Sequence, residues 1–217
     1  MNKALILGCG GHSKVLVDTI DRIKEKDFEV VAFLDNDRNK CGKSFGSIPV
    51  MGGDDLISGM ILDGVTHFIV GVGGIGDCSL RAKVFEKGLS SGLKPLTVID
   101  PSATISKSAR IEEGAQILVG AIINANAQIG RNTIINSGAI VEHDCIIGES
   151  VHIAPGVTIS GNVKIGDLSH IGTGASIIQG VEIGMMVIVG SGSVVIRDIS
   201  DKSVVVGNPA KEIRKRN

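Results

Sequence analysis

From Ala103 to Asp198 the hydrophobic positions recur every six residues without interruption. The first place of each hexad, beginning Ala103, Ala109, Ala115 and Ala121, is always small or β-branched. Two residues later stands an aliphatic residue, from Ile105 and Ile111 to Val189 and Val195, in all sixteen hexads. Neither a helix of period 3.6 nor a simple strand of period 2 imposes a strict six. A parallel β-helix does, because each hexad is one short strand and one turn. Three hexads close a coil, so residues 18 apart stack on neighbouring coils, about 4.8 Å apart. Ile and Val suit the inward places because they are stiff and fit a pleated surface. The small residues point inward near the corners, and Gly and Asn recur in the turns, where positive φ costs little.

The first hundred residues follow another pattern. Ala4–Leu7 reads as a buried strand, followed by the turn Gly8-Cys9-Gly10-Gly11-His12. Lys14 to Lys26 carries helical spacing at Val15, Leu16, Thr19, Ile20 and Ile23. Val30–Leu34 is a second strand, and His67–Val72 a third. Helices are expected over Asp54–Met60, with Asp54 as cap, and over Leu80–Leu89. Leu96–Ile99 reads as a last strand, and Asp100-Pro101-Ser102 as the hinge to the repeat. Strands alternating with helices imply a parallel sheet. The expected organisation is an α/β, Rossmann-like domain over 1–100, then an all-β parallel β-helix with a C-terminal cap over 101–217.

Composition narrows the partners. A net charge of −1 gives no electrostatic case for nucleic acid, and the absence of Trp and Tyr leaves few stacking platforms. No apolar run of about 18 residues suggests a membrane span. Met1–Leu7 runs straight into a strand and a turn, so no signal peptide is expected. Cys9, Cys41, Cys78 and Cys145 show no paired spacing, which fits a reduced, cytoplasmic protein. Cys145 stands at an inward place and reads as a small core residue. The tail Arg214-Lys215-Arg216 reads as a solvated end.

Two groups of residues carry candidate chemistry. The glycine turn between first strand and first helix aims backbone N–H groups at an anion. Asp35 follows the second strand, where dinucleotide folds keep a ribose-binding acid. Ser13 replaces the third glycine of that fingerprint and the domain is short, so a nucleotide or nucleotide sugar fits better than NAD, with a purely structural turn as the plain alternative. The second group is Glu142-His143-Asp144. His143 takes the fifth, outward place of its hexad, and a neighbouring carboxylate can orient an imidazole and raise its basicity. An exposed charged corner is the plain alternative. His152 and His170 lie 18 apart and stack on one face, but two histidines are too few for zinc, so no metal is expected. His170 reads as a surface residue.

Together these segments resemble the hexapeptide-repeat acetyltransferases that act on nucleotide-linked amino sugars, the bacillosamine, perosamine and sialic-acid O-acetyltransferase group. The resemblance rests on Gly8–His12, Phe33–Asn36, Asn136–Gly138, Glu142–Cys145, Val151–Gly156 and Val206–Lys211. It implies a left-handed β-helix and a homotrimer with acetyl-CoA in the groove between two prisms. It implies His143 as general base, with Asp144 increasing its basicity. It places Gly161, whose N–H would polarise the thioester carbonyl, with His152, Thr173 and Ser191 in the acetyl-CoA channel. Gly10, Gly11, His12, Asp35, Asn36 and Gly73 match the nucleotide-sugar site, with Asn36 standing where some relatives have a second acid. The reaction it implies is direct N-acetylation of a nucleotide-linked amino sugar, without metal. O-acetylation of a sialic-acid-type sugar and a non-catalytic binding protein are the alternatives.

Overall fold

The computed structural model describes residues 1–216 of the 217-residue chain. The N-terminal part runs β1 (Asn2–Leu7), α1 (Gly11–Arg22), β2 (Phe28–Leu34), β3 (Ser44–Phe45), β4 (Ile48–Gly52), α2 (Ile57–Leu62), β5 (Val65–Val70), α3 (Ser79–Ser90) and β6 (Lys94–Pro95). Its sheet has the order β3-β4-β2-β1-β5-β6, parallel except for the β3–β4 hairpin. β1 thus lies between β2 and β5, and the chain leaves it in both directions. Helix α1 begins at Gly11, earlier than its apolar spacing suggests. Asp54 does not cap a helix by its side chain. Its N–H donates instead to Asn36 Oδ1 (3.0 Å), and its carboxylate accepts from Asn36 Nδ2 (3.0 Å).

Two-residue strands then run from β7 (Val98–Ile99) to β23 (Val194–Val195) in three stacked sheets, a left-handed parallel β-helix. The sheet through β7, Gln116–Ile117, Ile134–Ile135, His152–Ile153 and His170–Ile171 is called face I here, and faces II and III follow it in each coil. The second residue of each strand and the small residue before the strand fill the prism: Ala115, Ile117, Ala121, Ile123, Val141, Cys145 and Ile153 are fully buried. Inward hydroxyls bond turn carbonyls, as Thr133 does to Gly148 O (2.8 Å) and Ser169 to Gly184 O (2.9 Å). The sixth place takes positive φ along the repeat, at Gly120, Asn126, Gly138, Asp144, Gly156 and Asn162 among others.

Val98–Ile99 belongs to the β-helix and not to the α/β sheet. Its backbone bonds run to the next coil, from Val98 N–H to Ala115 O (3.0 Å) and from Asp100 N–H to Ile117 O (2.8 Å). Nor is Asp100-Pro101-Ser102 a hinge. Asp100 is buried, accepts from the N–H and hydroxyl of Ser102 (2.9 and 2.6 Å), and pairs with Arg22 (3.0 Å). After β24 (Ser203–Val206) an antiparallel β25 (Lys211–Lys215) caps the prism. The basic tail is tied in rather than solvated: Lys215 reaches Ser200 Oγ (2.6 Å), and Arg216 pairs with Asp77 (3.0 Å).

The α/β part sits on face I. Val98, Leu118 and Ile134 share one apolar cluster with Ala4, Ile6, Leu16 and Ile20.

Candidate active site

In an open parallel sheet, ligands bind beyond the strand C-termini where the strand order reverses. Here that point is the end of β1, and a cavity of about 410 Å³ opens there. Its walls include Gly10, Gly11 and His12 from the β1–α1 turn, Asp35 and Asn36 after β2, and Gly73 after β5. All six predicted nucleotide-sugar residues therefore converge. The turn itself is locked by Asp35. Its Oδ2 accepts from Cys9 N–H (2.7 Å) and Lys40 Nζ (2.8 Å), and its Oδ1 from Asp37 N–H (2.9 Å). Burial pushes the Asp35 carboxyl up, but the Lys40 ammonium and these N–H donors outweigh it and hold the group below the usual carboxylate range. Ser13, where the fingerprint has glycine, is fully buried and reaches Gly8 O (2.8 Å) and Gly71 O (3.0 Å). It clamps the two walls of the cavity together. Gly71 leaves no room for a side chain, since a Cβ would stand 2.3 Å from Gly8 O.

His143 occupies the turn between Ile140–Val141 on face II and Ile146–Ile147 on face III. Its Nδ1 lies 2.8 Å from Asp144 Oδ2, and its side chain is 56% exposed. Asp144 takes φ +57°, a conformation Asp tolerates. Its other oxygen accepts from Asn126 Nδ2 (3.1 Å), one coil back. The His143 and Asn126 bonds both hold the Asp144 carboxyl below its ordinary value. A carboxylate can only accept, so Nδ1 carries a proton, and in the neutral ring the lone pair is on Nε2. Glu142 is held by Asn124 Nδ2 (2.9 Å) and accepts the His143 N–H (3.2 Å). Gly161 lies one coil on, directly under the ring, and its own N–H has no partner within the chain among the described residues. Cys145 points inward, with Sγ on Ser160 O (3.2 Å), and burial pushes its thiol up, so Cys145 offers the imidazole no nucleophile.

The remaining predicted residues divide. Thr173 and Ser191 are exposed on the edge where face I turns into face II. His152 is buried on face I under the α/β part, its ring 5.0 Å from that of His170 and its Nε2 3.0 Å from Asn136 Nδ2. His170 is also buried, because the loop at Gly74 covers it. Burial, followed by the neighbouring His170, pushes His152 down to about 3. Among the described residues no group of three or more His, Cys, Asp or Glu side chains is placed to hold a metal ion.

Two residues, and the role of a third, escaped sequence reasoning. Gln116 and Arg81 are fully buried between the two parts, and Ser13 clamps the glycine turn. Arg81 donates to Asn132 O (2.7 Å) and Val72 O (2.7 Å). Outward charge sets face III apart, though it does not separate face I from face II, whose outward places Thr104, Ile122, Ile140, Thr158, Ser176 and Val194 are also uncharged. At 18-residue steps the outward places of face I read Val98, Gln116, Ile134, His152, His170 and Ile188, whereas those of face III include Arg110, Lys164 and Glu182.

Residues 3–88 match the PglD N-terminal domain family, and residues 126–161 and 144–177 match the bacterial transferase hexapeptide (six repeats) family. The whole chain superposes on a histidine-to-asparagine mutant of perosamine N-acetyltransferase from Caulobacter crescentus in complex with CoA and GDP-perosamine. The TM-score is 0.91 at 34% identity, covering 99% of this chain and 98% of that one. The chain belongs to the hexapeptide-repeat sugar acetyltransferases. A second member of the family is the acetyltransferase domain of PglB from Neisseria gonorrhoeae in complex with acetyl coenzyme A, at 36% identity and TM-score 0.88 over 98% of this chain and all 100% of that one. WeeI from Acinetobacter baumannii is 28% identical with a TM-score of 0.82, covering 98% of this chain and 100% of that one.

Proposed function

We propose that the protein transfers an acetyl group from acetyl-CoA to the amino group of a nucleotide-linked amino sugar. In this reading residues 1–100 hold the nucleotide sugar and 101–217 carry the transfer. The observation that carries it is His143: an exposed imidazole whose Nδ1–H is fixed by Asp144 and whose ring packs over Gly161, a residue whose N–H has no partner within the chain among the described residues. The amine attacks the thioester carbon and a C–N bond forms. His143 Nε2 takes the amine proton and returns it to the departing thiolate as the C–S bond breaks. The Gly161 N–H faces the developing oxyanion, a contribution typically worth about 3 kcal/mol.

One chain does not bring these parts together. The α/β part covers face I, while His143 stands on the edge between faces II and III, the edge opposite face I in a three-sided prism. Thr173 and Ser191 occupy a different edge again. We therefore propose a homotrimer in which the His143 edge of one copy meets the Thr173–Ser191 edge and the sugar cavity of its neighbour. The free thiols of Cys9, Cys41, Cys78 and Cys145 support work in the reducing cytoplasm, in polysaccharide precursor synthesis.

The test is thiol release from acetyl-CoA with UDP-, GDP- and dTDP-linked amino sugars, and with free sialic acids. Turnover with a nucleotide amino sugar, lost in His143→Ala while CoA still binds, is the expected result. Turnover with sialic acids alone would make it an O-acetyltransferase, and none with any acceptor would make it a binding protein. Light scattering that gives a monomer would overturn the shared site.

A further inference from the structure

His12 is the point where the sugar cavity touches the β-helix. Its Nε2 lies 2.7 Å from Oε1 of Gln116, 104 residues away. Gln116 is fully buried, and its Nε2 donates to Val70 O at 2.8 Å. Val70 ends β5, so this acceptor is fixed main chain. Turning the amide over would set two oxygens against each other at that distance in a buried site, which is costly. The amide oxygen therefore faces His12, and an oxygen can only accept. It follows that His12 carries its proton on Nε2 and a lone pair on Nδ1. His12 lines the cavity, and Nδ1 has no partner within the chain among the described residues.

We infer that Gln116 is a positioning residue for substrate recognition: it holds His12 in the Nε2–H tautomer, so that Nδ1 accepts a hydrogen bond from an N–H or O–H of the bound nucleotide sugar. This deepens the proposed function and rests on its reading of the cavity. Burial, then the Arg81 guanidinium, pushes His12 down to about 4, so the ring meets its ligand uncharged. A neutral acceptor selects hydroxyl, amide or amine donors and rejects phosphate oxygens at that point. The groups around the ring agree. Gln116 faces it from the β-helix, Arg81 from α3 and His152 from face I, and none supplies a proton to Nδ1.

Nitrogen-15 NMR of the imidazole, assigned by deleting the signal in His12→Gln, reads the tautomer directly. The wild-type protein should show Nε2 protonated and Nδ1 bare, and Gln116→Met should show both tautomers. Steady-state kinetics on the amino sugar that turns over should give Gln116→Met a KM for that sugar raised about tenfold, the loss of roughly one well-placed hydrogen bond. Its kcat and its KM for acetyl-CoA should stay within about twofold, a split that general loosening of the fold would not produce. His12→Asn, whose amide oxygen can stand near the Nδ1 place, should bind the sugar better than His12→Gln. If Gln116→Met fails to fold, the wild-type spectrum and the His12 pair still decide. A proton on Nδ1, an unchanged KM in folded Gln116→Met, or equal binding by the two His12 variants would each overturn the inference. Failure of the wild-type protein to bind any nucleotide sugar would remove the reading of the cavity and this role with it, even with the tautomer as assigned.

Discussion

Gly161→Ala is a perturbation of one atom with a calculable effect. A Cβ at 161 would stand 2.5 Å from both Cε1 and Nε2 of His143 and 3.1 Å from Cδ2. Non-bonded carbons rest at about 3.5–4.0 Å, so the ring must withdraw by about 1 Å or more. Gly161 lacks a positive φ, so alanine fits the backbone, and its three nearest contacts all lie in the imidazole. The His143 side chain is 56% exposed, and nothing stops it from swinging outward. That motion breaks its 2.8 Å bond to Asp144 and moves Nε2 off the acceptor amine.

The consequence should be kinetic, not thermodynamic. A surface ring that relocates costs within about 0.5 kcal/mol, which for this size moves Tm by about 2 °C at most. A misplacement of about 1 Å in a reacting group costs on the order of 100-fold, and a positioned base contributes about 10²–10⁴. We expect kcat/KM to fall by at least about 100-fold, measured by thiol release, with thermal denaturation unchanged. Simple obstruction of the thioester predicts another pattern, a raised KM for acetyl-CoA with kcat intact. A folded Gly161→Ala enzyme retaining wild-type kcat/KM would refute the assignment of His143 as the base lying on that backbone.

Other expectations follow from the same geometry. Asp144→Asn keeps a residue that tolerates φ +57° but replaces the carboxylate that fixes the His143 tautomer, so kcat should drop by on the order of 100-fold with Tm preserved; unchanged kcat would show the pair to be ornamental. Arg81→Ala leaves Asn132 O and Val72 O without their donor in a buried interface, and should cost more than about 3 kcal/mol in denaturant unfolding. His12 and His152 are held down at about 4 and about 3, so the unfolded chain, with histidine near 6.5, binds more protons between those values. Their stabilisation is complete above about pH 6.5 and is lost as pH falls toward 4. Tm should be flat above neutrality and fall steeply below pH 6, less steeply in His152→Phe. A Tm that holds from pH 7 to pH 4 would contradict the buried, neutral state.

How much of this was legible depended on whether a residue's role is local or long-range. The β-helix was, because one short spacing rule decides inside from outside in every hexad, and Cys145 follows it as faithfully as Ile147. The His143 corner was legible for the same reason: fifth place, hence turn, hence outward. The glycine turn and Asp35 were legible because a strand end followed by a helix start leaves little choice of geometry. The rule also reached further than its first use. Ile99 stands six before Ile105, so the coil could have been started at Val98, yet the alternation with helices hid it.

What stayed hidden needed two distant segments at once. Gln116 occupies an outward place, where glutamine ordinarily meets water, and only the α/β part laid over face I turns it into a buried partner of His12. His170 was misread for the same reason. Yet the column Val98, Gln116, Ile134, His152, His170, Ile188 carries no charged residue, and the corresponding column of face III carries Arg110, Lys164 and Glu182. Covered faces exclude charge unless it is paired. Charge sorting sets face III apart but not face I from face II, whose column Thr104, Ile122, Ile140, Thr158, Ser176, Val194 is also uncharged; the buried Gln116, His152 and His170 mark face I as the docked side, and the edge between faces II and III lies opposite it. His143 stands on that opposite edge. With the α/β part laid over face I, the sugar cavity and the His143 edge of one chain face away from each other, and this separation is what supports the proposal of a site shared between neighbouring copies.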